Sequence, residues 1–272
     1  MTLCPDTRID FDRAGPIGGA TVVLLHAGVA DRRMWEPQWA ALTSRYDVVR
    51  VDLRGFGGSV SRPAGDRLAH HDDVAETLAR LGVERAHLVG CSLGAGVAVD
   101  VALARPQLVA SLLLVTPGGS LIPEMTPELR RFVDAENEAL GRDDLEAAVA
   151  ANLDWWVDGP HRDAGEERSA IRALVAVMQR RAFEITADWD EVEEVELDPP
   201  ALDRLGELDV PTLVLTGGLD LDAISRAAEA VATGIPNARH EAWPDAAHLP
   251  SLERPDDFAT LLEGWLADVG AR

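Results

Sequence analysis

The sequence predicts an α/β protein: a mostly parallel, twisted sheet with helices on both faces and one helical insertion. Three observations carry this. Short apolar runs rich in Val and Leu alternate with segments of helical periodicity, which implies crossovers between parallel strands. The runs are apolar throughout instead of alternating with polar residues, as strands covered on both faces must be. One stretch, residues 121–200, breaks the rhythm and reads as wholly helical. The expected organisation is therefore a core formed by residues 1–120 and 201–272, with residues 121–200 inserted between two of its strands.

Taken in order, ATVVLLHAG (20–28) is the first buried strand, ending in small residues. YDVVRVDLRGFGGS (46–59) is the next, followed by a glycine-rich turn. HHDDVAETLARLG (70–82) sets Val74, Leu78 and Leu81 at helical spacing and closes on a glycine. RAHLVG (85–90) is a strand, SLGAGVAVDVALARP (92–106) a helix stopped by proline, and LVASLLLVTPGG (108–119) a strand. The insertion follows, rich in Glu, Asp, Ala and Arg and carrying Trp155, Trp156 and Trp189. Its acidic run DWDEVEEVELD (188–198) is expected to be a solvated face or linker. Beyond it, PTLVLTGGLD (211–220) is a strand and AISRAAEAVATGIP (223–236) a helix. RHEAWPDAAHL (239–249) is a short strand and loop, and PDDFATLLEGWLADV (255–269) the last helix.

Composition excludes several kinds of function. The chain has 272 residues, 47% hydrophobic and 26% charged, as an ordinary globular protein does. A net charge of −22 repels nucleic-acid phosphates and anionic lipid, so the expected partner is a small molecule. All 25 basic residues are arginine. Without lysine there is no Schiff-base cofactor chemistry and no GxxxxGK[ST] phosphate loop. The seven histidines form no HExxH. His70 and His71 are adjacent and so do not share a helix face. Neither a metal nor a cofactor is expected. Cys4 and Cys91 make no disulfide framework, and no apolar run is long enough to span a membrane. No basic segment followed by an apolar one opens the chain, so a cytoplasmic protein is expected. Oligomeric state is not legible.

The chemistry concentrates at Gly90-Cys91-Ser92-Leu93-Gly94, which matches G-x-S-x-G between a predicted strand and a predicted helix. A nucleophile at so sharp a turn needs small residues two before and two after it. The helix that starts there presents free N–H groups and a positive dipole end to a developing oxyanion. Only the third position projects from such a turn, so Cys91 is expected to pack as a small buried hydrophobe. A serine hydroxyl needs a base, and His248, in a loop between a strand and the final helix, fits better than His87, His161 or His240. The histidine needs an acid. Asp220 follows a buried strand and so stands at the carboxyl edge of the sheet; Asp222 is its competitor. Arg32 and Arg33 are expected in a solvated loop.

These stretches, VVLLHAG, VDLRGFGGS, HLVGCSLGAG, LVLTGGLD and AAHLPSLERPDDF, resemble the α/β-hydrolase superfamily in order and spacing over almost the whole chain. The resemblance implies an α/β-hydrolase fold with residues 121–200 as a helical cap between its sixth and seventh core strands. It implies a Ser92–His248–Asp220 triad, with oxyanion donors at the backbone amides of Leu93 and Gly28, although alanine stands at 27 where such a loop usually has glycine. His26 would brace that loop. Trp155 or Trp156, but not both, is expected to line the substrate pocket. Few residues precede the first strand, so the family's N-terminal antiparallel hairpin should be short or lack a strand. The activity implied is hydrolysis of a small ester or lactone through an acyl-enzyme. The same triad also serves carbon–carbon bond hydrolases, perhydrolases and acyltransferases, and non-catalytic ligand-binding members share the pocket.

Overall fold

A computed structural model describes residues 9–162 and 168–271; Cys4 lies outside them. The strands are β1 (Phe11–Ala14), β2 (Thr21–Leu25), β3 (Asp47–Val51), β4 (Arg67–Leu68), β5 (Ala86–Cys91), β6 (Val109–Val115), β7 (Glu193–Glu194), β8 (Thr212–Gly217) and β9 (Arg239–Trp243). The helices are α1 (Glu36–Thr43), α2 (His70–Arg80), α3 (Leu93–Ala104), α4 (Pro127–Leu140), α5 (Leu145–Asn152), α6 (Ser169–Thr186), α7 (Ala201–Arg204), α8 (Asp222–Gly234), α9 (Pro250–Glu253) and α10 (Pro255–Asp268).

Seven strands form one sheet in the order β1-β3-β2-β5-β6-β8-β9. Only β1 runs antiparallel, against β3, so the N-terminal hairpin does lack a strand among the described residues. The other pairings are parallel. Strand alternation divides the core into two layers. In β2, Val22 and Leu24 join the core on one face, while Val23 and Leu25 join the other. Leu42 of α1 with Phe258 and Leu262 of α10 close the first face. Val74 and Leu78 of α2 with Val97 and Val101 of α3 close the second.

Helix α1 has no counterpart in the sequence reading, because EPQWAALT shows no clean apolar stripe. Its burial rests on Leu42 and on Gln38, whose side-chain amide donates to the Ser251 carbonyl at 2.9 Å. Just before it, Arg32 and Arg33 depart from the expected solvated loop. The Arg32 guanidinium lies 2.6 Å from Asp52, 2.8 Å from Asp10 and 3.1 Å from Asp12. Arg33 pairs with Asp31 at 2.6 Å. The ends of β1 and β3 bring three aspartates to one point, and a cation there offsets their repulsion.

β6 and β8 are neighbours, Leu113 opposite Leu213, so the chain between them leaves the sheet and returns. It carries α4, α5, a π-helical turn (Leu153–Asp158) and α6, which pack on one another. The acidic run is not wholly solvated. Trp189 is buried with Leu68 and Ile185, and β7 pairs with β4 in a two-stranded parallel ribbon. Extended backbone pairing leaves the side chains of Glu193 and Glu194 exposed, which is how so acidic a segment is accommodated.

Candidate active site

Ser92 sits where β5 turns into α3, at φ +52° and ψ −115°. A non-glycine residue there is strained by about 1–3 kcal/mol, so its surroundings must hold it. They do so through the backbone. The Ser92 N–H donates to the Val115 carbonyl at 2.9 Å, and the Ser92 carbonyl accepts the N–H groups of Ala95, Gly96 and Gly118. The flanking glycines are obligatory. A Cβ on Gly90 would stand 2.2 Å from the Gly94 carbonyl oxygen, and one on Gly94 would stand 2.4 Å from that of Leu25. Cys91 points the other way, fully buried, with its sulfur 3.5 Å from the Thr116 hydroxyl. Burial pushes its thiol up to about 12, so no thiolate forms near neutrality.

His248 lies in the loop between β9 and α9. The Thr116 hydroxyl donates to its carbonyl at 2.9 Å, and Glu253 accepts the N–H groups of Ala247 and Leu249 on either side. Nδ1 of His248 donates to Oδ2 of Asp220 at 2.7 Å, with both side chains buried. A carboxylate can only accept, so Nδ1 carries a proton, and in the neutral ring the lone pair is on Nε2. The other Asp220 oxygen accepts the Leu221 N–H at 2.8 Å. The competitor Asp222 is engaged elsewhere: its carboxylate accepts the Thr126 hydroxyl at 2.6 Å, and its N–H donates to Glu128.

Ser92 and His248 open onto one cavity of about 320 Å³, which Gly28 also lines. Gly28 lies against Leu93: a Cβ on it would stand 3.7 Å from the Leu93 Cβ. The Leu93 side chain lines a separate hollow, so its backbone is what it can offer here. As the first residue of α3 its N–H has no intrahelical acceptor. His26 braces this loop from behind. Its Nε2 accepts the Leu53 N–H at 2.9 Å, which puts the proton on Nδ1 for the Ala27 carbonyl at 2.8 Å. Burial lowers its pKa, keeping it neutral.

Of the two adjacent tryptophans, Trp156 lines the cavity and Trp155 does not. The Trp156 ring lies 4.4 Å from the His248 ring, centre to centre, while Trp155 turns toward Phe132 and Arg131. Phe56, Phe132 and Phe183 add apolar wall. Four polar residues share that lining and were not foreseen: Glu136, Asn152, Gln179 and Thr186. In sequence they look like the polar positions of surface helices, and nothing in their spacing distinguishes them.

Comparison with known proteins agrees with this fold. The family model described as the alpha/beta hydrolase fold matches residues 20–255. A Rhizobium rhizogenes protein named as a candidate carbamate hydrolase, RutD, is 28% identical over 88% of this chain and 90% of its own. The pimeloyl-[acyl-carrier protein] methyl ester esterase of Edwardsiella ictaluri is 28% identical over 90% of this chain and 92% of its own. The solved structure of Est816, described as an N-acyl homoserine lactone degrading enzyme, superposes with a TM-score of 0.74 at 27% identity, covering 94% of this chain and 96% of that one.

Proposed function

The chain belongs to the α/β-hydrolase fold family, and on that premise we propose that it is a serine hydrolase cleaving a small ester or lactone through Ser92, His248 and Asp220. The observation that carries this reading is the buried His248–Asp220 hydrogen bond, which selects the neutral tautomer with its lone pair on Nε2, on a histidine that lines the cavity Ser92 also lines. Nε2 takes the Ser92 proton as Oγ attacks the substrate carbonyl carbon. Asp220 holds the ring in that tautomer and stabilises the imidazolium. The N–H groups of Leu93 and Gly28 receive the oxyanion. His248 then protonates the departing alkoxide, giving a free alcohol, or the tethered hydroxyl of an opened lactone. Water enters, gives its proton to Nε2 and attacks the acyl-enzyme. Collapse of the second tetrahedral intermediate returns the proton to Oγ and releases the acid.

Residues 121–200 act in this reading as a cap over the carboxyl edge of the sheet, excluding water and shaping the acyl pocket. The relatives named for lactone, methyl ester and carbamate substrates support a carbonyl bonded to a heteroatom. We place the protein in the cytoplasm on its sparse cysteine content; no helix among the described residues is long and apolar enough to cross a membrane. The test is labelling with a fluorophosphonate followed by peptide mapping, alongside turnover of 4-nitrophenyl esters and simple lactones. Label on Ser92 with turnover is expected. Label on Cys91, or labelled protein that turns over neither substrate class, overturns the assignment.

A further inference from the structure

The cavity over Ser92 is mostly apolar, yet beside Ser92 and His248 it holds four polar side chains from the insertion: Glu136 from α4, Asn152 from the end of α5, and Gln179 and Thr186 from α6, with the Thr186 hydroxyl already donating to the Ala182 carbonyl. Asn152 is buried, and its side-chain amide already donates to Glu136 Oε1 at 2.6 Å and to the Ala148 carbonyl at 3.0 Å. Gln179 is 5% exposed, and its Oε1 is buried without a hydrogen-bond partner. Acceptor capacity remains to be satisfied there, at the Gln179 oxygen and the second oxygen of Glu136, beside the N–H groups of the same Gln179 amide. No arginine lines the cavity among the described residues.

Resting on the hydrolase reading, we propose that this corner selects substrates bearing an amide N–H, with Glu136 and Gln179 as the acceptors that recognise it. An alkyl chain in the same place would leave both acceptors unpaired in an apolar surrounding, which is the arrangement that most strongly rejects an analogue lacking the donor. A carboxylate on the substrate would meet Glu136 with no cation to offset it. Burial raises the Glu136 carboxyl above its usual range, so the corner suits a neutral donor better than a permanent cation. Specificity for the amide is thus carried by the insertion, and Ser92 takes no part in it.

The test separates recognition from chemistry by using Ser92→Ala protein. The ligands are methyl esters of ω-acetamido acids with two to five methylenes, each paired with the ketone in which CH₂ replaces N–H. Affinities are measured by calorimetry. At the best chain length the amide binds at least about tenfold tighter than its ketone. Glu136→Met and Gln179→Met, both close in volume, each reduce that ratio toward one while the ketone's affinity holds. A third arm uses ω-ammonium esters, which bind more weakly than the amides. Equal binding of amide and ketone at every length overturns the proposal. So does no binding by any member, a ratio that survives both substitutions, or ammonium esters binding best. If the ratio holds but Ser92→Ala still hydrolyses the esters at the wild-type rate, the catalytic assignment falls and the recognition corner stands.

Discussion

Ser92 occupies a backbone conformation that L residues avoid, and every group that holds it there is a main-chain group or a glycine. The strain therefore does not depend on the hydroxyl, and Ser92→Ala should fold like the wild type. Under the proposed mechanism it lowers kcat on a 4-nitrophenyl ester by about 10⁴ to 10⁶, with an unchanged circular dichroism spectrum. Retained activity would remove Ser92 from the chemistry. Asp220 and Asp222 make a sharper comparison, since a single residue separates them and only the first bonds His248. Asp220→Asn presents an amide that favours the other imidazole tautomer and should cost about 10⁴ in kcat. Asp222→Asn disturbs a contact with Thr126 and should leave kcat within a few-fold. Steady-state kinetics on the two variants decides between them, and the reverse order of damage would mean that the wrong acid has been chosen.

At the scale of elements, α3 carries a charge problem of its own. Asp100 is buried near the Ser120 hydroxyl, and burial pushes its carboxyl up to about 7 against the opposing hydrogen bond. An unfolded aspartate titrates near ~3.9, so the folded state holds the proton more tightly. Stability contributed by the protonated form is fully present below that value, falls as pH rises to about 7 and is flat above it. Asp100→Asn should therefore stabilise the protein by about 2–4 kcal/mol at pH 8 and by little at pH 4. Urea titrations at the two pH values check this, and an equal effect at both would show that Asp100 titrates normally. The insertion's helices make a different prediction. Trp156→Ala should reorder a panel of esters by acyl group while a fluorophosphonate still labels Ser92, whereas Trp155→Ala should not. Loss of equal size on every substrate would mean that Trp156 only props the His248 ring. These helices also mark where sequence reading stops. The six parallel strands, the strand-to-helix elbow and the loops carrying Asp220 and His248 were legible because parallel strands and glycine turns impose local rules, whereas the short β1, β4 and β7 carry no such pattern. Which face of α4 or α6 meets the cavity depends on packing between helices far apart in sequence, and Glu136 and Gln179 have no local signature.

For the molecule as a whole, the net charge of −22 is spread over a surface whose arginines are already largely engaged. Self-repulsion among the remaining carboxylates should outweigh what those pairs lose to screening, because several of them are buried. The melting temperature should then rise by a few degrees between about 10 and 300 mM sodium chloride. A fall would mean that exposed ion pairs dominate. Charge was readable from composition, but its arrangement was not. Arg32 reads as a loop residue until Asp10, Asp12 and Asp52 converge on it from two strands.

The cavity wall has a divided origin, and this bears on how the protein can be re-engineered. Eight of its fourteen lining residues come from the excursion between β6 and β8, while Ser92, His248 and Gly28 come from the sheet side. The elbow tolerates no Cβ at Gly90 or Gly94, so a mutant library that includes it is mostly dead clones. A library confined to Phe132, Glu136, Asn152, Trp156, Gln179 and Phe183 varies the wall and leaves the reacting groups where they are. Variation of substrate range, whether by selection in nature or at the bench, has a separate region of sequence in which to accumulate.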